Sequence, residues 1–505
     1  ELNRQIDVLG SEEDDEILIS FQKKGRVRLA IRRSKDPQNA RFFDRVFVPG
    51  ETKEIRLYAL AGDDRLRISG EPHKRIRIRF VAGAGQDEVA SGDGIALRAK
   101  AIRLYDQPDG ATIEAEAKVK DRRSNSPYKN QYDRYDPHNE PFTVAFVPKL
   151  AFNPDDGLAL GGTVVGTFTG FKRSPFASRH SLSAEFTTAT LGAAASYDVL
   201  FPNTLGPLDQ GLGIRFTTPR FTRNFFGVTN LYVDPRDIDR DFFRVRQLTG
   251  EVYYGPSLRL ASDVVRIGLE VTAELIDVEN TEGRFLRVAS DVDPKAFADR
   301  YFVGGRLRFA VDSRASQTYP KRGLTFEATA AVRSDLTGGD LQTFANFTGT
   351  IGTHLPIDRT GRLVLTSRVR AEHTEGDFPF YFFPTLGAND LRAFNDEQFA
   401  GTTVFAQTTD LRLELFEIRR VLPGNIGIAG SIDHGRVFGD GVDTSDPALE
   451  ADTSTYHVSA GGTLFWNLFG LFGVTGSYHR GVFDDTERVV IGLGPQFTET
   501  GFVGD

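Results

Sequence analysis

The feature that most constrains this chain is a two-residue alternation repeated from 141 to 497 in about sixteen short segments. In 265–275, Val265, Ile267, Leu269, Val271, Ala273 and Leu275 fall on one face, with Arg266, Glu270 and Glu274 on the other. Successive side chains of a strand point to opposite faces, so the segment has one apolar wall and one charged wall. The design recurs. Val303, Leu307, Phe309 and Val311 oppose Arg306, Arg308 and Asp312, and Ile426, Ile428 and Ile432 oppose Ser431 and Asp433. A soluble sandwich buries its apolar face against a second sheet. A membrane barrel turns that face to lipid and holds charges in a wet lumen. Open sheets rarely exceed about ten strands. So many strands, with no core-forming helices between them, predict closure into a transmembrane β-barrel.

No stretch of the 505 residues approaches the ~18 consecutive apolar residues of a membrane helix. That leaves barrel strands open, because they hide their hydrophobicity in alternation. The aromatic set is Phe-heavy, with 41 Phe and 14 Tyr against 1 Trp, which suits interfacial girdles. A net charge of -8 and a pI of about 5.7 argue against a nucleic-acid partner. Short and long breaks roughly alternate along 141–497, as periplasmic turns and external loops do. Both ends of the barrel then fall on the periplasmic side. The absence of Cys fits an oxidising compartment without disulfides. The absence of Met, with an opening at Glu1 and no signal-peptide pattern, reads as a processed or partial chain.

Residues 1–135 differ. Short strand-like runs at 16–22, 25–32, 42–48, 52–60, 65–69, 75–80, 96–104 and 112–119, without helical periodicity, predict a small all-β soluble domain. The polar stretch 120–140 reads as a linker into the barrel at 136–497, and 498–505 as a tail. Gly83, Gly85, Asp87 and Val89 fit the G-x-G-x-D-x-U spacing of calcium-binding β-rolls, and Gly62 to Leu66 fit part of it. Asp63, Asp64 and Asp87 are therefore the calcium candidates. Those repeats stack every nine residues and these lie 23 apart, so tight turns rather than consecutive calcium-binding turns are expected. The eight His residues form no ligand spacing, and no nucleophile elbow, phosphate loop or Cys-based site occurs. No cofactor and no enzymatic activity are expected of this chain.

The longest break, 374–400, holds Phe378, Phe380, Tyr381, Phe382 and Phe383, then Leu391-Arg392-Ala393-Phe394. Loops are usually polar, so an aromatic loop is expected to pack inside something. Asp410-Leu-Arg412 follows on one strand and Gly430-Ser-Ile-Asp433-His-Gly435 on the next. With Asp312-Ser-Arg314 through Pro320 to Gly323, and Asn224-Phe-Phe-Gly227 through Asn230, this order resembles the BamA-type superfamily of outer-membrane assembly factors and two-partner-secretion transporters. That resemblance implies a 16-stranded transmembrane β-barrel, and with the small β-rich domain read before it the chain is expected to be all-β; the family's periplasmic repeats mix helix and strand, a pattern that residues 1–135 do not show. The resemblance also implies a long external loop folded into the lumen, with Arg392 as the tip arginine, Phe394 beside it, and Asp410 and Asp433 as its partners on the inner wall. Leu391 and Ala393 stand where the family's tip has Val and Gly. The stretch 51–64 is similar to the β-rich segment upstream of surface-antigen barrels fused to calcineurin-like phosphoesterases.

The expected function is assembly or translocation at the bacterial outer membrane, with the N-terminal domain periplasmic. A seam between the first strand and the last would open, because unpaired edges recruit strands. Gly492, Gly494 and Pro495, next to Phe497, weaken that seam: Gly packs nothing and Pro donates no backbone hydrogen bond. Expected partners are outer-membrane lipid and other outer-membrane or periplasmic proteins. The alternative is an anchoring barrel that tethers a lost N-terminal phosphoesterase-like domain.

Overall fold

The computed structural model describes residues 4–494 except 37, 39, 93–101, 136–141, 222, 234–239, 290–291, 293, 318, 338–341, 440–455 and 471. The chain divides into two compact units, Glu1–Glu140 and Pro141–Asp505.

The first unit is built from eleven strands: β1 (Gln5–Leu9), β2 (Asp15–Phe21), β3 (Val27–Arg33), β4 (Arg41–Phe47), β5 (Glu54–Tyr58), β6 (Arg65–Gly70), β7 (Arg77–Val81), β8 (Asp87–Ser91), β9 (Ile102–Tyr105), β10 (Ala111–Ile113) and β11 (Lys120–Asp121). One sheet runs β1-β5-β7-β9-β11 and the other β10-β8-β6-β2-β3-β4. The chain crosses from sheet to sheet at each corner. Glu54 pairs with Arg77 in one sheet and Arg65 with Glu88 in the other, all in parallel. This is a two-sheet parallel solenoid, with β3 and β4 inserted as an antiparallel hairpin. Ile17, Ile19, Leu57, Leu66, Ile78, Phe80, Val89 and Leu104 fill the space between the sheets.

The all-β expectation is met, but β1, β8 and β11 lie outside the predicted runs. The expectation that the Asp-bearing turns are not consecutive is overturned. Asp64 N–H donates to Asp87 Oδ1 at 2.9 Å across a separation of 23 residues, so those turns are neighbouring corners of successive rungs. The 23-residue spacing is the repeat. The predicted linker also begins later, because 120–130 holds β11 and one helical turn, Pro127–Asn130.

The second unit is a closed antiparallel barrel of sixteen strands. They are β12 (Phe142–Asn153), β13 (Gly157–Phe168), β14 (Ser178–Thr187), β15 (Gly192–Leu205), β16 (Leu208–Thr217), β17 (Gln247–Leu260), β18 (Val265–Val278), β19 (Arg300–Asp312), β20 (Gly323–Asp335), β21 (Thr343–Pro356) and β22 (Leu363–Gly376). After the long loop, which carries its own hairpin of β23 (Thr385–Leu386) and β24 (Phe399–Ala400), come β25 (Thr403–Ile418), β26 (Gly424–Phe438), β27 (His457–Leu468), β28 (Phe472–Gly481) and β29 (Glu487–Gly494). The two faces separate as the alternation requires. On β18, Leu269 is 57% exposed and Val271 62%, while Glu270 between them is 7% exposed. The inward charges are paired. Glu270 meets Arg306 at 3.2 Å and Arg308 at 3.4 Å, and Glu274 meets Arg333 at 2.8 Å.

Candidate functional site

The loop between β22 and β25 enters the barrel because its apolar residues find an apolar wall there. Leu386, Leu391, Ala393, Phe394 and Phe399 form one buried cluster with Val404 and Ala406 of β25 and Val437 of β26. The earlier aromatic run packs separately. Phe380 and Tyr381 join Phe225, Phe302 and Phe344 in a second cluster. Phe394 is fully buried, with its ring 5.6 Å from that of His457.

Between these contacts Arg392 reaches the wall. Its Nε donates to Asp433 Oδ2 at 3.0 Å, and its backbone N–H donates to the same oxygen at 3.2 Å. Nη2 closes the fork on Oδ1. Ser459 Oγ donates a further hydrogen bond to Asp433 at 2.7 Å, so this fully buried carboxylate has both oxygens engaged. Asp410 lies 2.8 Å from Arg392 Nη1, close enough for charge attraction but not aligned as a hydrogen bond. The structure thus brings Arg392, Asp410 and Asp433 together, with Asp433 the principal partner. Asp410 and Asp433 face inward because Ile432, beside Asp433, and Leu411, beside Asp410, are the exposed apolar residues of their strands.

Several other residues hold the loop, and sequence reasoning did not single them out. Asp390 is gripped by two arginines of β22, Arg368 at 2.9 Å and Arg370 at 2.7 Å. Arg488 of β29 donates to the Phe394 carbonyl at 2.8 Å and pairs with Asp155 at 2.6 Å. Thr486 Oγ1 donates to the Ala393 carbonyl at 2.8 Å. Inward parity was the available signal for Arg368, Arg370 and Arg488. Nothing in the sequence marks Asp390 as their partner. Asn224 and Asn230, in the loop after β16, tie that loop to the long loop and to β26. Asn224 N–H donates to Glu397, and Asn230 Oδ1 accepts from Val437 N–H. Arg412, two residues past Asp410, turns instead to the Pro320 carbonyl at 2.6 Å. A cavity of about 810 Å³ remains beside the loop, lined by Arg368, Arg370, Asp390, Arg392, Asp396 and Arg488 among others.

Among the described residues the seam closes on three pairs. Leu150, Ala151 and Phe152 of β12 pair with Leu493, Gly492 and Ile491 of β29. Elsewhere adjacent strands pair along most of their length; β12 with β13 makes twelve pairs from Phe142–Phe168 to Asn153–Gly157. Gly492 lies in the seam pairing, whereas Gly494 pairs with Gly473 of β28. Pro495 and Phe497 lie outside the described residues.

The three aspartates of the first unit act as corner caps. Asp64 Oδ1 accepts the Asp15 N–H at 2.8 Å, Asp87 caps Asp64, and Asp63 Oδ1 accepts the Gln86 N–H at 2.8 Å. Burial pushes the Asp64 carboxyl up to about 8 and that of Asp87 to about 7. Among the described residues no group of three or more His, Cys, Asp or Glu side chains is placed to hold a metal ion.

The model of the Omp85 superfamily domain matches residues 180–473, more than half of the chain. The chain belongs to the Omp85 superfamily. Its fold is similar to that of BamA from Haemophilus ducreyi lacking POTRA domains 1–3, with a TM-score of 0.50 and 12% identity over 70% of each chain. CdiB from Acinetobacter baumannii follows at a TM-score of 0.44 and 11% identity, covering 70% of this chain and 60% of that one. CdiB from Escherichia coli gives 0.45 and 14%, covering 70% and 63%. No curated protein sequence matches the chain. This Omp85 chain is a bacterial outer-membrane β-barrel with an N-terminal periplasmic region.

Proposed function

We propose that this Omp85 barrel works through its seam, opening between β12 and β29 to admit a client strand while the loop tip holds the lumen closed. One observation carries the reading: among the described residues the seam has three pairs, where the ladders on either side of it, β12–β13 and β28–β29, have twelve and eight. A client strand would add to the edge of β12 through backbone hydrogen bonds, as in any β-augmentation. The lumen contacts of Arg392, Asp390 and Arg488 support a loop fixed in place while the seam moves. Arg488 belongs to β29 itself, so separation of the seam acts directly on the loop tip.

The test is a locked seam. Ala151→Cys with Gly492→Cys places two thiols at directly paired positions in a chain that has no other cysteine. Thr329→Cys with Thr348→Cys does the same at the β20–β21 pairing. Proteoliposomes of each are given a urea-unfolded outer-membrane barrel. Oxidation should stop insertion by the seam-locked protein, reduction should restore it, and the control lock should have no effect. Full insertion by the oxidised seam lock would sink the gating reading. In this reading the chain performs no covalent chemistry, so the purified protein should show no metal-dependent phosphatase turnover. Turnover would move the balance to an enzyme-bearing anchor.

A further inference from the structure

We propose that the external rim of the barrel carries a binding site for a phosphate-bearing headgroup, that of an outer-leaflet glycolipid, built on Arg220, Arg223, Arg244, Arg246 and Arg284. The five arginines line one cavity of about 220 Å³ between the β14–β15 turn and the loops after β16 and β18. Those connections lie at the end of the barrel opposite the strand termini at Phe142 and Gly494, which is the external end of an even-stranded barrel with a periplasmic N-terminal region.

Counted over the described residues, the charges in the cavity do not balance. Among the described residues three carboxylates reach four of the five guanidiniums. Asp241 lies 2.8 Å from Arg244 and 3.6 Å from Arg284, Glu279 3.4 Å from Arg246, and Glu397 3.5 Å from Arg223. Arg220 is exposed and has no ion-pair partner among them. Arg284 Nη1 is buried and donates to nothing. A buried donor left unused costs about 1–3 kcal/mol, more when charged, unless a ligand supplies the acceptor. Phosphate fits: guanidinium forks bind its oxygens in pairs.

The wall is built to hold this arrangement. Arg244 is steadied by the Asp155 carbonyl at 2.7 Å and Arg223 by the Tyr381 carbonyl at 2.8 Å. At Gly192 the chain after β16 passes so close that a Cβ would stand 2.3 Å from the Arg220 carbonyl oxygen. Only glycine admits Arg220 to this position.

The height of the cavity selects a lipid source. Phe186 of β14, Phe216 of β16 and Val252 of β17 are exposed on the outer face. Arg220 follows β16 by three residues and Arg246 immediately precedes β17. At ~3.3 Å per residue, these arginines stand within roughly 10 Å of the apolar band, at headgroup level. Leu191, 59% exposed, lines the same cavity and extends the apolar surface up to it.

The experiment uses the full chain in detergent, with bound lipid counted by native mass spectrometry. The probes are bis-phosphorylated lipid A, the same lipid with both phosphates removed, and inorganic pyrophosphate. Wild type should retain the phosphorylated lipid at least tenfold better than the Arg220→Gln/Arg284→Gln protein, and both should hold the dephosphorylated lipid equally. Arg287→Gln, on the same loop but outside the cavity, should match wild type. Heat-modified gel mobility reports folding. If the double variant fails to fold, Arg220→Gln alone keeps the comparison, since that exposed side chain supports no ion pair. Equal retention of phosphorylated lipid by wild type and a folded variant overturns the proposal. Pyrophosphate held as tightly as the lipid, on the same arginines, overturns the lipid assignment in favour of a soluble phosphorylated ligand.

Discussion

Replacing Asp433 by Asn should release the loop tip more than any other single change at the wall. The carboxylate is fully buried and accepts from Arg392 Nε, Arg392 Nη2, the Arg392 backbone N–H and Ser459 Oγ. Removing one partner of a buried pair costs about 3–5 kcal/mol when the other is stranded. Arg392 is not wholly stranded, because its side chain is 25% exposed and Asp410 remains 2.8 Å away. The expected cost therefore falls to about 2–4 kcal/mol. Asp410→Asn should cost about 1 kcal/mol or less, since that contact is unaligned and Asp410 is 18% exposed. Arg392→Met with Asp433→Leu should recover much of the loss, because an apolar pair of similar volume replaces a buried ion pair at little cost.

The assay must see the loop apart from the barrel. Hydrogen exchange of peptides from 374–400 and single-channel conductance in planar bilayers do so. Asp433→Asn should deprotect the loop and raise conductance, with heat-modified mobility of the barrel retained. Unchanged exchange in that loop, or a larger effect from Asp410→Asn, would refute the assignment of Asp433 as the principal anchor.

Leu269→Arg should cost ~2–4 kcal/mol near the bilayer midplane, whereas Thr350→Lys on the inner face should be tolerated; urea titration in lipid vesicles that ranks them equally would defeat the face assignment. Gly323→Ala should destabilise the β19–β20 turn by about 1–3 kcal/mol, since φ is +129° and a Cβ would stand 2.5 Å from the Arg314 Cα; the loss should appear as a lower urea midpoint. The solenoid should weaken as pH rises. The folded Asp64 carboxyl titrates at about 8 and Asp87 at about 7, both raised above the unfolded ~3.9. Their stabilising share is thus complete below pH ~4 and is lost progressively up to those folded values. Asp64→Asn should flatten that slope and stabilise the unit by about 1–3 kcal/mol at pH 8; a slope of protection across 54–91 that stays unaltered in hydrogen exchange would contradict it.

The barrel was legible because lipid and lumen impose opposite chemistry on alternate residues, and that demand repeats in every strand. Leu269, Glu270 and Val271 carry it without any tertiary information. Arg392, Asp410 and Asp433 could be paired only by resemblance, since 41 residues separate Arg392 from Asp433 and parity says which wall a side chain faces but not what it meets. Asp390 shows the limit: its two arginines lie 22 and 20 residues earlier on the adjoining strand, and no spacing rule links a loop carboxylate to them. The solenoid was missed for a different reason. Its 23-residue rung is interrupted by the β3–β4 hairpin between the first two corners, Asp15 and Asp64, so the period shows cleanly only from Asp64 to Asp87. A single repeat distance in a sequence looks like coincidence. In space it becomes a ladder, because Asp64 and Asp87 each turn a carboxylate oxygen to the backbone N–H of the rung before. That hydrogen bond requires an acid or amide at every corner and a close, glycine-bearing turn beside it: a Cβ on Gly85 would stand 2.0 Å from the Gly62 carbonyl oxygen. The same Gly and Asp spacing that suggested calcium serves backbone capping at these corners, and burial there is what raises the carboxyls of Asp64 and Asp87.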